Sequence, residues 1–210
     1  MSLEIFEKEL RKECKIFFAD LKNGERLKRL QKKSKTNINS MFDVVTRGQE
    51  VDTAKLYRSC MITFGNVLEK TTMDYAHTMG KKVYNNKNFL SAKIDIVFKI
   101  SKNIYNLESK SNIELDAGKS KKALETLKRK HKMVFFGLDC NNDGLQVISK
   151  FIVWTKPTSK EAAKTAKKPI EEKHLMGFKD FFTLFNIKIE TNDFFDMLQK
   201  VFQEEVGAFF

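Results

Sequence analysis

The chain is poor in proline, cysteine pairs and long apolar runs. Only 2 of its 210 residues are Pro, while 41% are apolar and 19 are Phe, so a sizeable core is available and disorder throughout is not expected. Cys14, Cys60 and Cys140 are odd in number, widely spaced and never in a CxxC pair. That pattern argues against a disulfide framework and for a reducing, intracellular compartment. No apolar run approaches the length needed to cross a bilayer. The opening MSLEIFEKELRKEC alternates charge and apolar residues too evenly for a signal peptide. A soluble intracellular protein is the expectation.

Motifs that carry chemistry are also missing. His77, His131 and His174 are isolated in sequence, and with three scattered Cys they match no zinc spacing. There is no GxSxG elbow. The fragment AGKS at 117–120 lacks the upstream glycine of a phosphate loop, because position 113 is Ile113. Asp43, Asp95 and Asp116 have no spacing that suggests a carboxylate metal site. LDCNNDGLQVISK, at 138–150, imitates a calcium loop, with Asp139, Asn141, Asp143 and Gly144 in the right places. Its twelfth position, which needs a bidentate Glu, is Lys150, and its eighth is Gln146 rather than an apolar residue. A polar turn between two strands is the better reading. No catalytic residue, metal ligand or cofactor is assigned, and the chain is read as non-enzymatic.

What the chain does have is charge, unevenly placed. Lys and Arg number 39 against 27 Asp and Glu, a net +12. Such an excess attracts polyanions. Over 22–35 seven basic residues face one acid, and over 119–132 seven again face one. The segment 171–210 reverses the sign, with eight acids, four Lys and nine Phe.

Periodicity supplies the elements. Leu3, Phe6, Leu10, Cys14, Phe17 and Leu21 step at the helical period, with a stop at Asn23-Gly24. A short basic helix follows, then one from about residue 39, then a long one from Asp52 to Gly80 with a core stripe through Phe64, Val67, Leu68 and Tyr75. Residues 89–107 fit both periods and are read as a buried helix. Residues 119–132 are helical, with Ala123, Leu124 and Leu127 inward. KMVFFGL and LQVISKFIVWTK are rich in β-branched and aromatic residues and flank CNNDG, which predicts a β-hairpin over 133–155. Between Pro157 and Pro169, Thr158 and Glu161 have capping-box spacing, for a short helix or a basic linker. The expected fold is α+β and predominantly α-helical, with that one hairpin and a C-terminal amphipathic helix. It divides into a basic core (1–156), a Lys/Ala-rich connector (157–169) and an acidic, Phe-rich arm (170–210).

Three basic stretches carry the functional expectation. Lys28, Arg29, Lys32, Lys33 and Lys35 form the first; Lys119, Lys121, Lys122, Lys128, Arg129 and Lys132 the second; Lys160, Lys164, Lys167 and Lys168 the third. Long cations on one helical side meet successive phosphates and release counterions as they dock. Trp154 offers a ring for base stacking, whereas Phe135 and Phe136 are read as core. In the tail, Phe195, Leu198, Phe202 and Val206 make a stripe suited to docking on a neighbouring copy. The layout resembles that of small nucleocapsid-type proteins, a basic core with exchanging arms, although no family motif carries the likeness. The expected partner is RNA or single-stranded DNA, bound without sequence preference by a self-associating protein. The rival is an interaction module whose basic face docks an acidic protein. A peripheral membrane role lacks the Trp or Phe face that interfacial helices bury.

Overall fold

The computed structural model describes residues 2–19, 49–84, 89, 94–110, 117–141, 143–166 and 168–206. The elements are α1 (Ser2–Phe17), α2 (Gln49–Thr78), β1 (Lys82–Tyr84), β2 (Ile96–Ile100), β3 (Asn103–Lys110), α3 (Ala117–Gly137), β4 (Gln146–Val153), α4 (Ser159–Thr165), a 3₁₀ turn (Glu172–His174), β5 (Leu175–Gly177), α5 (Phe178–Thr183) and α6 (Thr191–Val206). The five strands form one sheet in sequence order. The first three are antiparallel, and β4 and β5 join in parallel through α3 and α4 as crossovers. The α+β class holds. The single hairpin over 133–155 does not.

That correction has a local cause. Val134 is fully buried one helical repeat beyond Leu127, so KMVFF continues the buried stripe of α3 instead of starting a strand. The false calcium loop then ends the helix. Asp139 takes φ 49°, its N–H donates to the Phe136 carbonyl at 3.2 Å, and the Cys140 N–H donates to Phe135 O at 3.1 Å. This is a Schellman C-terminus with Asp139 in the left-handed position usually given to Gly. The turn thus joins a helix to a strand, with Gly144 also at positive φ (59°).

The buried helix expected over 89–107 is likewise replaced, by β2 and β3. Their side chains face two layers. Ile96, Phe98, Tyr105 and Leu107 join one core, while Val97 and Ile104 join another on the opposite side of the sheet. A strand buried on both faces loses its polar alternation, which is why the helical period matched equally well. The chain reverses in two residues, Ser101 and Lys102, with Ser101 at φ 53°.

The larger core lies between the sheet and a layer made of α1, α2, α5 and α6. Phe6 sits among Tyr75, Trp154, Phe182 and Phe194, with ring centroids 5.3–6.2 Å apart. The stretch from Met176 to Phe202, expected as part of an arm, contributes side chains to this core. Phe178, Phe181, Phe182, Phe194 and Val201 are fully buried in it, and Phe195, Leu198 and Phe202 pack against it from the edge. On the other face α3 and α4 cover Phe151, Val153 and Leu175. The Thr158–Glu161 capping box forms as expected, and Ala162 is buried beneath α4.

Candidate nucleic-acid interface

The second basic stretch is the outer face of α3. Lys119, Lys121, Lys122, Lys128, Arg129 and Lys132 are exposed, because Leu124, Leu127 and Val134 anchor the opposite face to the sheet. Its first turn has no acidic residue and contains Lys119, with Lys121 and Lys122 just beyond. A cation in the first turn of a helix opposes the macrodipole, as Lys119 does. Lys160, Lys164 and Lys168 are exposed too, and α4 shares with α3 the apolar cluster of Leu124, Leu127, Ala162 and Ile170. Two basic stretches thus lie on one side of the sheet. Lys28, Arg29, Lys32, Lys33, Lys35 and Lys167 fall outside the described residues, as do the helix expected from about residue 39 and the side chain of Val206.

Lys130, counted with this stretch by charge, turns inward. It lies between two carboxylates, 3.4 Å from Asp95 and in a short hydrogen bond to Glu108. Burial and the neighbouring Glu108 raise the Asp95 pKa. Burial also works against the Glu108 carboxylate, but Lys130 and Lys110 together outweigh it and hold its pKa below the ordinary value.

The aromatics exchange roles. Trp154 is only 2% exposed, with its ring against Phe181 and Phe194 and its Nε1 donating to Ser109 Oγ at 3.3 Å, so it is not a stacking platform for bases. Phe136, assigned to the core, is 72% exposed and stands four residues beyond Lys132 on the basic side of α3. Phe135 holds to its core assignment in part, packed against the buried cluster of Val134 and Cys140.

A cleft of about 320 Å³ opens beside this face, lined by Leu124, Leu127, Lys128, His131, Lys132, Ser149 and His174. Register builds its floor. Asn106 and Ser149 pair across β3 and β4, and Asn106 Nδ2 donates to Ser149 Oγ at 2.9 Å. Ser149 Oγ also lies 3.1 Å from His131 Nδ1 and shares a hydrogen bond with it, in a direction that follows the ring tautomer. His174 Nδ1 accepts from the Glu171 N–H at 3.3 Å, which puts the hydrogen of the neutral ring on Nε2. Burial lowers the pKa of both rings; at His174 the charges of Lys173, Lys128 and Lys150 add to it, opposed by Glu171. Sequence reading missed His131, Ser149 and His174 because they are far apart in the chain and match no motif. Among the described residues no group of three or more His, Cys, Asp or Glu is placed to hold a metal ion, and no helix is long and apolar enough to cross a membrane.

The chain matches no protein-family model, no curated protein and no solved structure.

Proposed function

We propose that this is a non-enzymatic, sequence-tolerant nucleic-acid-binding protein that holds RNA or single-stranded DNA along α3 and α4. One observation carries the reading. Six exposed cations run along α3, against one acid on the same helix, Glu125. Phosphate contacts give such a row a purpose, since each displaces a condensed counterion. The exposed Phe136 beside Arg129 and Lys132 supplies the π-face on which a base stacks. Phe195, Leu198 and Phe202, expected to dock on a neighbour, pack against the core of their own chain, so the binding reading is built without self-association.

The test is binding of a labelled mixed-sequence single strand at several salt concentrations, with an acidic peptide of matched charge as comparison. The expected result is a steep linear fall of log K with log salt and weaker binding of the peptide. Tighter binding of the peptide would transfer the reading to the rival, a basic face that docks an acidic protein.

A further inference from the structure

A strand lying on the exposed lysines touches α3 without entering the cleft beside it, so the cleft needs an explanation of its own. Its volume of about 320 Å³ is at the small end for ligand sites, the size for a mononucleotide rather than a chain. Two leucines, two lysines and two histidines meet there. We propose that this cleft takes a phosphomonoester, the phosphorylated terminal nucleotide of the strand bound along α3. The phosphate lies among Lys128, Lys132, His131 and His174, and the sugar lies against Leu124 and Leu127. This rests on the nucleic-acid reading above.

Charge favours a monoester over an internal phosphodiester. A monoester carries about −1.5 to −2 near neutrality and offers three acceptor oxygens, whereas a diester carries a single charge and must leave the cleft in two directions. His174 accepts the Glu171 N–H at Nδ1 and so has an Nε2–H to donate, while His131 shares its Nδ1 with Ser149 Oγ. In the free protein burial lowers the pKa of both rings. A phosphate dianion favours the imidazolium at His131, whose Nδ1–H can then donate to Ser149 Oγ, and binding there takes up a proton. The groups around His131 are Lys128 and Lys132 on its own helix, with Ser149 and Asn106 on the strands. Those around His174 are Lys173, Lys128 and Lys150, opposed by Glu171. Affinity for the phosphorylated end therefore rises as pH falls toward about 6, and fades below that as the phosphate takes its own second proton.

The experiment uses the full chain and one short single strand prepared with a 5′-phosphate, a 3′-phosphate or hydroxyls at both ends. One phosphorylated form should bind roughly tenfold tighter or more, the scale of one charge-assisted contact. The pair His131→Gln and His174→Gln should erase that preference and its pH dependence while leaving the hydroxyl-ended strand bound. Lys128→Ala, at an exposed position, serves if the histidine pair unfolds; it should reduce the preference more than it reduces hydroxyl-ended binding. Equal affinity for all three strands overturns the cleft proposal and leaves the basic-face reading intact. If no strand binds, that reading fails instead, and nuclear magnetic resonance decides the cleft. Histidine ring signals that move with a nucleoside monophosphate but not with the nucleoside support a phosphate cleft. Unmoved signals overturn it.

Discussion

Reversing four cations of α3, with Lys121→Glu, Lys122→Glu, Arg129→Glu and Lys132→Glu together, should damage binding while sparing the fold. All four are exposed, and among the described residues none forms an ion pair. If each meets one phosphate of a single strand, each contributes about 0.7 to the slope of log K against log salt. Four contacts then account for a slope change of about 2.8. At about 0.1 M salt the same contacts are worth about 2.8 decades, so affinity should fall several hundredfold or more. Stability should change little, because all four positions are exposed and Lys, Arg and Glu have similar helix propensity. Anisotropy titrations across a salt series, beside thermal melts of both proteins, give both readouts. Unchanged affinity would refute the basic face as the interface. A large loss of melting temperature would show instead that these lysines hold the fold.

Gly177→Ala should cost about 3–5 kcal/mol, measured by urea unfolding. A Cβ there lies 2.3 Å from the backbone C and O of Pro157, and that backbone is pinned by Lys179 N donating to Pro157 O at 2.9 Å. Relief of unfolded-state entropy, about 0.4–1 kcal/mol, is too small to offset it, and an unchanged midpoint would refute the clash. Glu108→Gln should destabilise by about 1.5–3 kcal/mol at pH 7, because it removes the closer carboxylate and leaves the buried Lys130 ammonium with Asp95 alone, whereas Asp95→Asn, which keeps Glu108, should cost less or be neutral. The signs follow from linkage. The depressed Glu108 pKa gives stability present above the unfolded value and lost as pH falls through the folded one. The raised Asp95 pKa gives a cost that acidification relieves as pH falls through its folded value, so Asp95→Asn should flatten stability just above pH 4. A pH series of unfolding curves in which Asp95→Asn is the more damaging of the two would overturn these assignments. Deleting 191–210 should give aggregated or unfolded protein rather than a smaller assembly. It strips Phe194, Met197 and Val201 from the core, at about 1.5–3 kcal/mol each, before the edge residues are counted. A monodisperse, cooperatively melting truncation would contradict it.

How much of this the sequence showed depends on whether an element is buried on one face or two. The helices α1, α2 and α6 pack on one side, so their stripes announced them, and Gly80 was visible as the stop it is. It takes φ 71°, and Lys81 N donates to Ala76 O at 2.9 Å. The sheet was half obscured: β4 was legible in LQVISKFIVWTK, whereas β2 and β3, covered on both faces, read equally well as a helix. The reversal at Ser101-Lys102 contains no Gly, Asn or Pro to mark it. Lys130 was legible and passed over, since it stands three residues after Leu127 and four before Val134, on the buried stripe itself. Trp154 and Phe136 show what spacing alone does not give: which of two aromatic residues meets solvent depends on what packs across the sheet. The cleft was hidden for a stronger reason. Ser149 reaches His131 only because β3 and β4 pair in parallel through a crossover, and pairing of that kind leaves no local mark in the chain.

The acidic tail matters to function through what it neutralises. Its helix α6 packs on α1, where Glu204 meets Arg11 at 2.5 Å and Glu205 lies within 3.9 Å of both Arg11 and Lys15. Lys12 and Lys70 are likewise taken up by Asp74. Paired charges act as close multipoles and fade within a Debye length of about 8–10 Å, whereas unpaired charges of one sign add. Acid and base thus cancel on the α1 side of the molecule, while the exposed face of α3 carries six cations and, on the helix itself, one acid, Glu125. From Lys119 to Lys132 that row is about 20 Å long at 1.5 Å per residue. No single carboxylate or phosphate spans such a distance. A linear polyanion does, and on the function proposed above a strand following the row past Lys128 and Lys132 would reach the cleft lined by His131 and His174.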